Sequence, residues 1–152
     1  MRTYEIKVYD KFEVFFNLVI CNTRKQMHRA IKKHDSKSGC KSITTGMFSP
    51  TSYLTHSKLP GKFRSNVLGT MYLNIEDLKK ATEIVVHECA HAIFAFNHYV
   101  LRYYGCYSEY ENHGEFDFFG GGTSQEAFCY YLENIYRNVW RTISIYEKEN
   151  HG

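Results

Sequence analysis

The segment IVVHECAHAIFAF, residues 84–96, constrains this chain more than any other stretch. Apart from His87, Glu88 and His91, every residue in it is apolar. A helix that is apolar on nearly every side is expected to be buried. Burying an ionisable group without a partner is costly. The segment therefore needs something to offset three polar side chains, and a metal ion would do so.

The pattern His87–Glu88–Cys89–Ala90–His91 is H-E-x-x-H. On a helix, residues four apart share a face, with Cβ atoms about 6 Å apart. Two imidazoles so placed can converge on one zinc ion, while Glu88, about 100° round the helix, is set to reach water at that ion. A catalytic zinc usually takes three protein ligands and keeps one position open. His98 lies seven residues beyond His91, about 10 Å along the helix axis, too far to share the ion. The leading candidate for the third ligand is Glu126, in SQEAFCYYLENI, which opens a second amphipathic helix. It has a competing role, since Thr123-x-x-Glu126 is also a capping box. His113, in NHGEF, is the alternative ligand, and Glu115 and Asp117 are further acidic candidates.

The surrounding sequence predicts the scaffold. YEIKVY, residues 4–9, alternates as a strand does. FEVFFNLVI, 12–20, reads as a second strand or the start of a buried helix. Asn22 or Thr23 is set to cap a short helix with Met27, Ala30 and Ile31 on its apolar stripe. Residues 34–41 and 59–62 are turn-rich, and 42–57 is strand-like, with Pro50 marking it as irregular or an edge. NVLGTMYL, 66–73, is the clearest strand of the middle region, and Asn74 is the expected cap of one long helix from about 75 to 103. A glycine-rich loop, 105–122, leads to a last helix that starts at Thr123 or Ser124 and runs to about 146. The expectation is one α+β domain: a small, twisted, mostly antiparallel sheet packed on two long helices.

Composition narrows the setting. Lys and Arg number nineteen and form no dense basic block, so charge gives no reason to expect a nucleic-acid partner. The cysteines number five, an odd count, with no C-x-x-C pair. That argues against a disulfide framework and for reduced thiols in a cytoplasmic protein. The run 14–20 is too short to cross a bilayer and lacks the flanks of a signal peptide, so no membrane association is expected.

With Glu126–Ala127-x-x-Tyr130 and Leu132 downstream of His87–His91, the chain resembles small zinc metallopeptidases of the gluzincin clan. It is most similar to short, single-domain H-E-x-x-H proteins encoded in phage genomes. The resemblance covers about residues 66–140. It implies a minimal zincin-like core and a Zn2+ held by His87, His91 and Glu126. It also implies Glu88 as general base and an extended peptide or protein substrate paired to a sheet edge, either 66–73 or 42–57. For a phage protein the compartment would be the host cytoplasm. Larger gluzincins place an Asp one turn after the glutamate ligand, where this chain has Tyr130, so Glu133 or Asp117 would have to orient a ligand histidine. Tyr103, Tyr104, Tyr107, Tyr110, His113 and Tyr130 are the candidate oxyanion donors. The alternative reading is a protein-binding or metal-stabilised structural module on the same scaffold, without proteolysis.

Overall fold

A computed structural model describes residues 1–9, 14–34, 45–51, 66–104 and 124–151; within these spans the side chains of residues 9, 98, 100–104, 124–127 and 151 are not described. The elements are β1 (Arg2–Tyr9), β2 (Val14–Cys21), α1 (Arg24–His34), β3 (Gly46–Pro50), β4 (Val67–Asn74), α2 (Ile75–Leu78), α3 (Glu83–Tyr104) and α4 (Ser124–His151). The fold is α+β, with a four-stranded mixed sheet in the order β1-β2-β4-β3. β1 and β2 pair antiparallel, β2 and β4 pair parallel, and β3 pairs antiparallel with β4 at the edge.

Two apolar layers sandwich the sheet. On one face Ile6, Val8, Val14, Phe16, Leu18, Ile20, Leu68, Met71 and Leu73 meet the buried faces of α3 and α4. On the other face Val19, Cys21 and Tyr72 meet Met27, Ala30 and Ile31 of α1. This division follows from strand geometry, because successive side chains point to opposite faces: in β2, Leu18 and Ile20 join the first layer, Val19 and Cys21 the second. Of residues 12–20, those from Val14 on therefore resolve as a strand, and the stripe expected on α1 is the one it buries.

Thr23 is the α1 cap: its hydroxyl accepts from the Gln26 N–H at 3.2 Å, while the Gln26 side chain accepts from the Asn22 N–H at 2.8 Å. Asn22 instead accepts the Tyr146 hydroxyl at 2.5 Å and so joins α4 to the end of β2.

Asn74 caps α2 as expected, accepting from the Asp77 N–H at 2.8 Å. The helix it starts is not the long one. α2 stops at Leu78, and α3 begins at Glu83. The carbonyl of Asp77 takes the N–H groups of both Lys80 and Ala81, at 2.9 and 3.0 Å, which closes the turn. The Asp77 carboxylate is meanwhile held by a two-pronged Arg24 contact, 2.9 and 3.0 Å, and by Asn74 at 3.0 Å. Arg24 and then Asn74 hold the Asp77 carboxyl below the usual carboxylate range against the opposing effect of its burial.

α4 also runs further than expected, to His151. Tyr146 is buried, and beyond it Glu149 meets Arg2 and the Tyr4 hydroxyl, which ties the last turns to β1. The turn-rich stretch 34–41 lies outside the described residues except for His34, which ends α1, and so do 59–62 and the glycine-rich loop 105–122. No helix among the described residues is long and apolar enough to cross a membrane.

Candidate metal centre beside the sheet edge

α3 lies against β3, β4 and α4. Its buried side carries Val85, Cys89, Ala92, Ile93, Phe96 and Tyr99. Phe96 packs edge-on against Tyr131 of α4, with ring centroids 5.3 Å apart. The helix is not apolar-buried all round, however. Val86 and Phe94 are exposed, and so are His87 and His91. The cost of burial that the sequence suggested for both imidazoles falls instead on Glu88, which is 4% exposed. His87 and His91 lie on the side of α3 that carries the exposed Phe94, away from the face packed on β3, β4 and α4.

The two histidines do converge. Nε2 of His91 lies 3.2 Å from Nε2 of His87, with the rings T-shaped, 4.8 Å between centroids and 81° between planes. Zinc binds imidazole nitrogen at about 2.0–2.1 Å, and a tetrahedral angle at that bond length sets two ligand nitrogens about 3.3 Å apart. The observed pair is close to that separation, and both groups are of the type zinc takes, so these two imidazoles could serve as two of the ligands of such an ion.

Burial holds the Glu88 carboxyl above the usual carboxylate range, opposed by His91, by the main-chain N–H of Phe48 and by His87. Cys89 faces the core, where burial pushes its thiol up to about 12, so it is not a ready thiolate ligand.

The remaining candidates divide by position. Glu126 lies in the first turn of α4, and its side chain is outside those described. His113, Glu115, Asp117, Tyr107 and Tyr110 lie outside the described residues, as do the side chains of Tyr103, Tyr104 and His98. Among the described residues no three His, Cys, Asp or Glu side chains form a metal-binding group. Glu133 is exposed and pairs with Arg137 at 2.5 Å, one turn along α4. Tyr130 is 67% exposed. Of the two stretches considered as a substrate edge, 66–73 is excluded, because β4 is paired on both sides. β3, within 42–57, is an edge strand among the described residues, and Pro50 sits in it as expected of a residue with no N–H to pair.

What sequence reasoning missed is how closely β3 is held. A Cβ at Gly69 would lie 2.3 Å from the Ser49 carbonyl oxygen, 2.8 Å from the Phe48 ring and 2.9 Å from the Pro50 Cα. A Cβ at Gly46 would lie 3.0 Å from Leu73 Cδ2 and 3.1 Å from Ile84 Cγ1. A lone glycine inside an apolar strand signals such close backbone approach, and Gly69 in NVLGTMYL was that signal.

No family model matches the chain, and neither does any curated protein or solved structure compared with it.

Proposed function

We propose that the protein is a zinc-dependent peptidase in which His87, His91 and Glu126 hold the metal and Glu88 is the general base. The observation that carries this reading is the 3.2 Å approach of the two Nε2 atoms beside a buried carboxylate. Zinc in such a site polarises a peptide carbonyl and lowers the pKa of its water. The buried Glu88 carboxylate, its pKa raised by desolvation, is suited to take the proton from the attacking water and return it to the leaving amine. The exposure of His87 and His91 leaves their face of α3 open to a substrate. An extended peptide would lie along β3, by addition to its outer edge.

The test is metal content together with cleavage of a broad peptide library. The expected result is one zinc per chain, with cleavage lost in Glu88→Gln while zinc stays bound. Loss of zinc in Glu126→Ala supports the third ligand, and full zinc affinity in that variant moves the assignment to His113. A wild-type chain that holds one zinc and cleaves nothing sinks the peptidase reading in favour of a binding or structural module.

A further inference from the structure

Along the sequence the cations are spread out; the fold gathers a group of them. α1 carries Arg24, Lys25, Arg29, Lys32 and Lys33, with two histidines and no Asp or Glu. Its apolar stripe, Met27, Ala30 and Ile31, is buried on the sheet face opposite α3 and α4. Lys25, Arg29, Lys32 and Lys33 recur at i, i+4, i+7 and i+8 on the exposed side of the helix, a row about 12 Å long. Arg24 holds the Asp77 carboxylate at 2.9 and 3.0 Å, and the Asp77 carbonyl takes the Lys80 N–H at 2.9 Å. The exposed Lys79 and Lys80 are thereby set beside the first turn of α1. Together α1 and residues 75–80 hold seven of the chain's nineteen Lys and Arg residues and two of its sixteen Asp and Glu, Glu76 and Asp77. This corner is net +5, so the rest of the chain is net −2.

A helix shaped only for stability mixes its signs, as α4 does with Glu133 and Arg137. On α1, Lys25 and Arg29, and Arg29 and Lys33, are like charges four residues apart, which repel. Arg24 and Lys25 also stand at the positive end of the helix dipole. Among the described residues the ion pairs use Arg2, Arg24 and Arg137, and none takes Lys25, Arg29, Lys32, Lys33, Lys79 or Lys80. A polyanion would relieve that repulsion.

The apolar surroundings choose among polyanions. A helix that lies in a membrane surface sinks its apolar face into the lipid, and the apolar face of α1 is already spent on the sheet. A protein partner anchors on aromatic and apolar side chains, in a centre depleted of Lys. The exposed large hydrophobics among the described residues are Met1, Val86, Phe94, Tyr130 and Ile145, none of them in α1 or the turn. A nucleic acid needs no such anchor, because its phosphate contacts add up over Lys and Arg alone.

We propose that the outward face of α1, with Lys79 and Lys80, docks the phosphate backbone of a nucleic acid. This face lies across the sheet from His87 and His91, and its docking role is independent of the peptidase reading.

The test is fluorescence anisotropy of a labelled DNA duplex of mixed sequence, titrated with the full chain from about 50 to about 200 mM salt. With six phosphate contacts, log affinity should fall against log salt with a slope of about −5. Arg29→Gln with Lys33→Gln should lessen that slope by about 2 and weaken binding at the lowest salt about tenfold or more. Arg141→Gln with Lys148→Gln removes the same charge from exposed positions of α4, and should leave slope and affinity close to wild type. Thermal unfolding at the wild-type temperature shows that both doubles are folded. Equal weakening by the two doubles would make the attraction one of net charge and overturn the assignment to α1. Absence of salt-dependent duplex binding overturns the docking face, and binding of phosphatidylserine vesicles or polyglutamate in place of the duplex overturns the nucleic acid as its partner.

Discussion

A single methyl group at Gly69 tests how β3 is held. An Ala side chain there would place Cβ 2.3 Å from the Ser49 carbonyl oxygen. Real contacts of this kind essentially never fall below 3.0 Å, so the strands must part by about 0.7 Å, the difference of the two distances. Two of the three nearest atoms are backbone, of Ser49 and Pro50, and cannot rotate away. Forcing extra volume into a packed site costs about 1–3 kcal/mol. Ala also restricts the unfolded chain, which returns about 0.4–1 kcal/mol where its backbone conformation is allowed. The net expectation for Gly69→Ala is a loss of about 1–2 kcal/mol, or about 2–8 °C in Tm for a chain of this size. Gly46→Ala is the milder comparison: its nearest atoms are the side-chain carbons Leu73 Cδ2 and Ile84 Cγ1 at 3.0 and 3.1 Å, and the one backbone atom, the Tyr72 carbonyl oxygen, lies further off at 3.3 Å. Thermal unfolding followed by circular dichroism measures both. A Gly69→Ala variant as stable as wild type, or Gly46→Ala as the worse of the two, would refute the claim that β3 is wedged by backbone contact.

Three other outcomes are expected. Free zinc at about a thousand times its Kd should stabilise the wild type by about 4 kcal/mol, read as a Tm rise of about 8–16 °C, and His91→Ala should show none of that rise in calorimetry. In the metal-free chain Glu88 and Asp77 should give opposite pH dependences. The native state keeps a proton on Glu88 above its ordinary pKa of 4.5, so stability falls as pH rises through that window, and Glu88→Gln should remove the fall. Asp77 is held below its ordinary 3.8, so its contribution is present above that value and is lost as pH falls towards the lowered pKa. Denaturation midpoints from about pH 3 to about pH 7 for wild type, Glu88→Gln and Asp77→Asn check both signs. Finally, Asn97 is 1% exposed and its Oδ1 has no hydrogen-bond partner among the described residues; Asn97→Leu should raise stability by about 1 kcal/mol, seen as a higher denaturant midpoint, since leaving such a group unpaired costs about 1–3 kcal/mol.

The strands and the α1 stripe were legible because their signals are local. Alternation in YEIKVY, the cap at Thr23 and the spacing of Met27, Ala30 and Ile31 each act within a few residues. The break after Leu78 was not legible, because the buried residues Leu78, Val85, Cys89, Ala92 and Phe96 recur at one helical spacing straight across it. In the turn after α2 the Asp77 carbonyl takes two N–H groups, beside a carboxylate held by Arg24 from another element, a tertiary contact that no window of sequence contains. The convergence of His87 and His91 followed from their spacing alone. Their exposure did not, because it depends on which face of α3 packs on β3, β4 and α4. Only Gly69 hinted that β3 would be drawn so close to β4.

The central claim is that two imidazoles of α3 share one divalent ion. Anomalous scattering at the zinc edge from crystals of the zinc-loaded chain tests it most directly. The account predicts one peak about 2.0–2.1 Å from Nε2 of both His87 and His91, with a carboxylate oxygen completing the protein ligands. No peak between those nitrogens, with the rings joined instead by a direct N–H···N bond across their 3.2 Å gap, would contradict it.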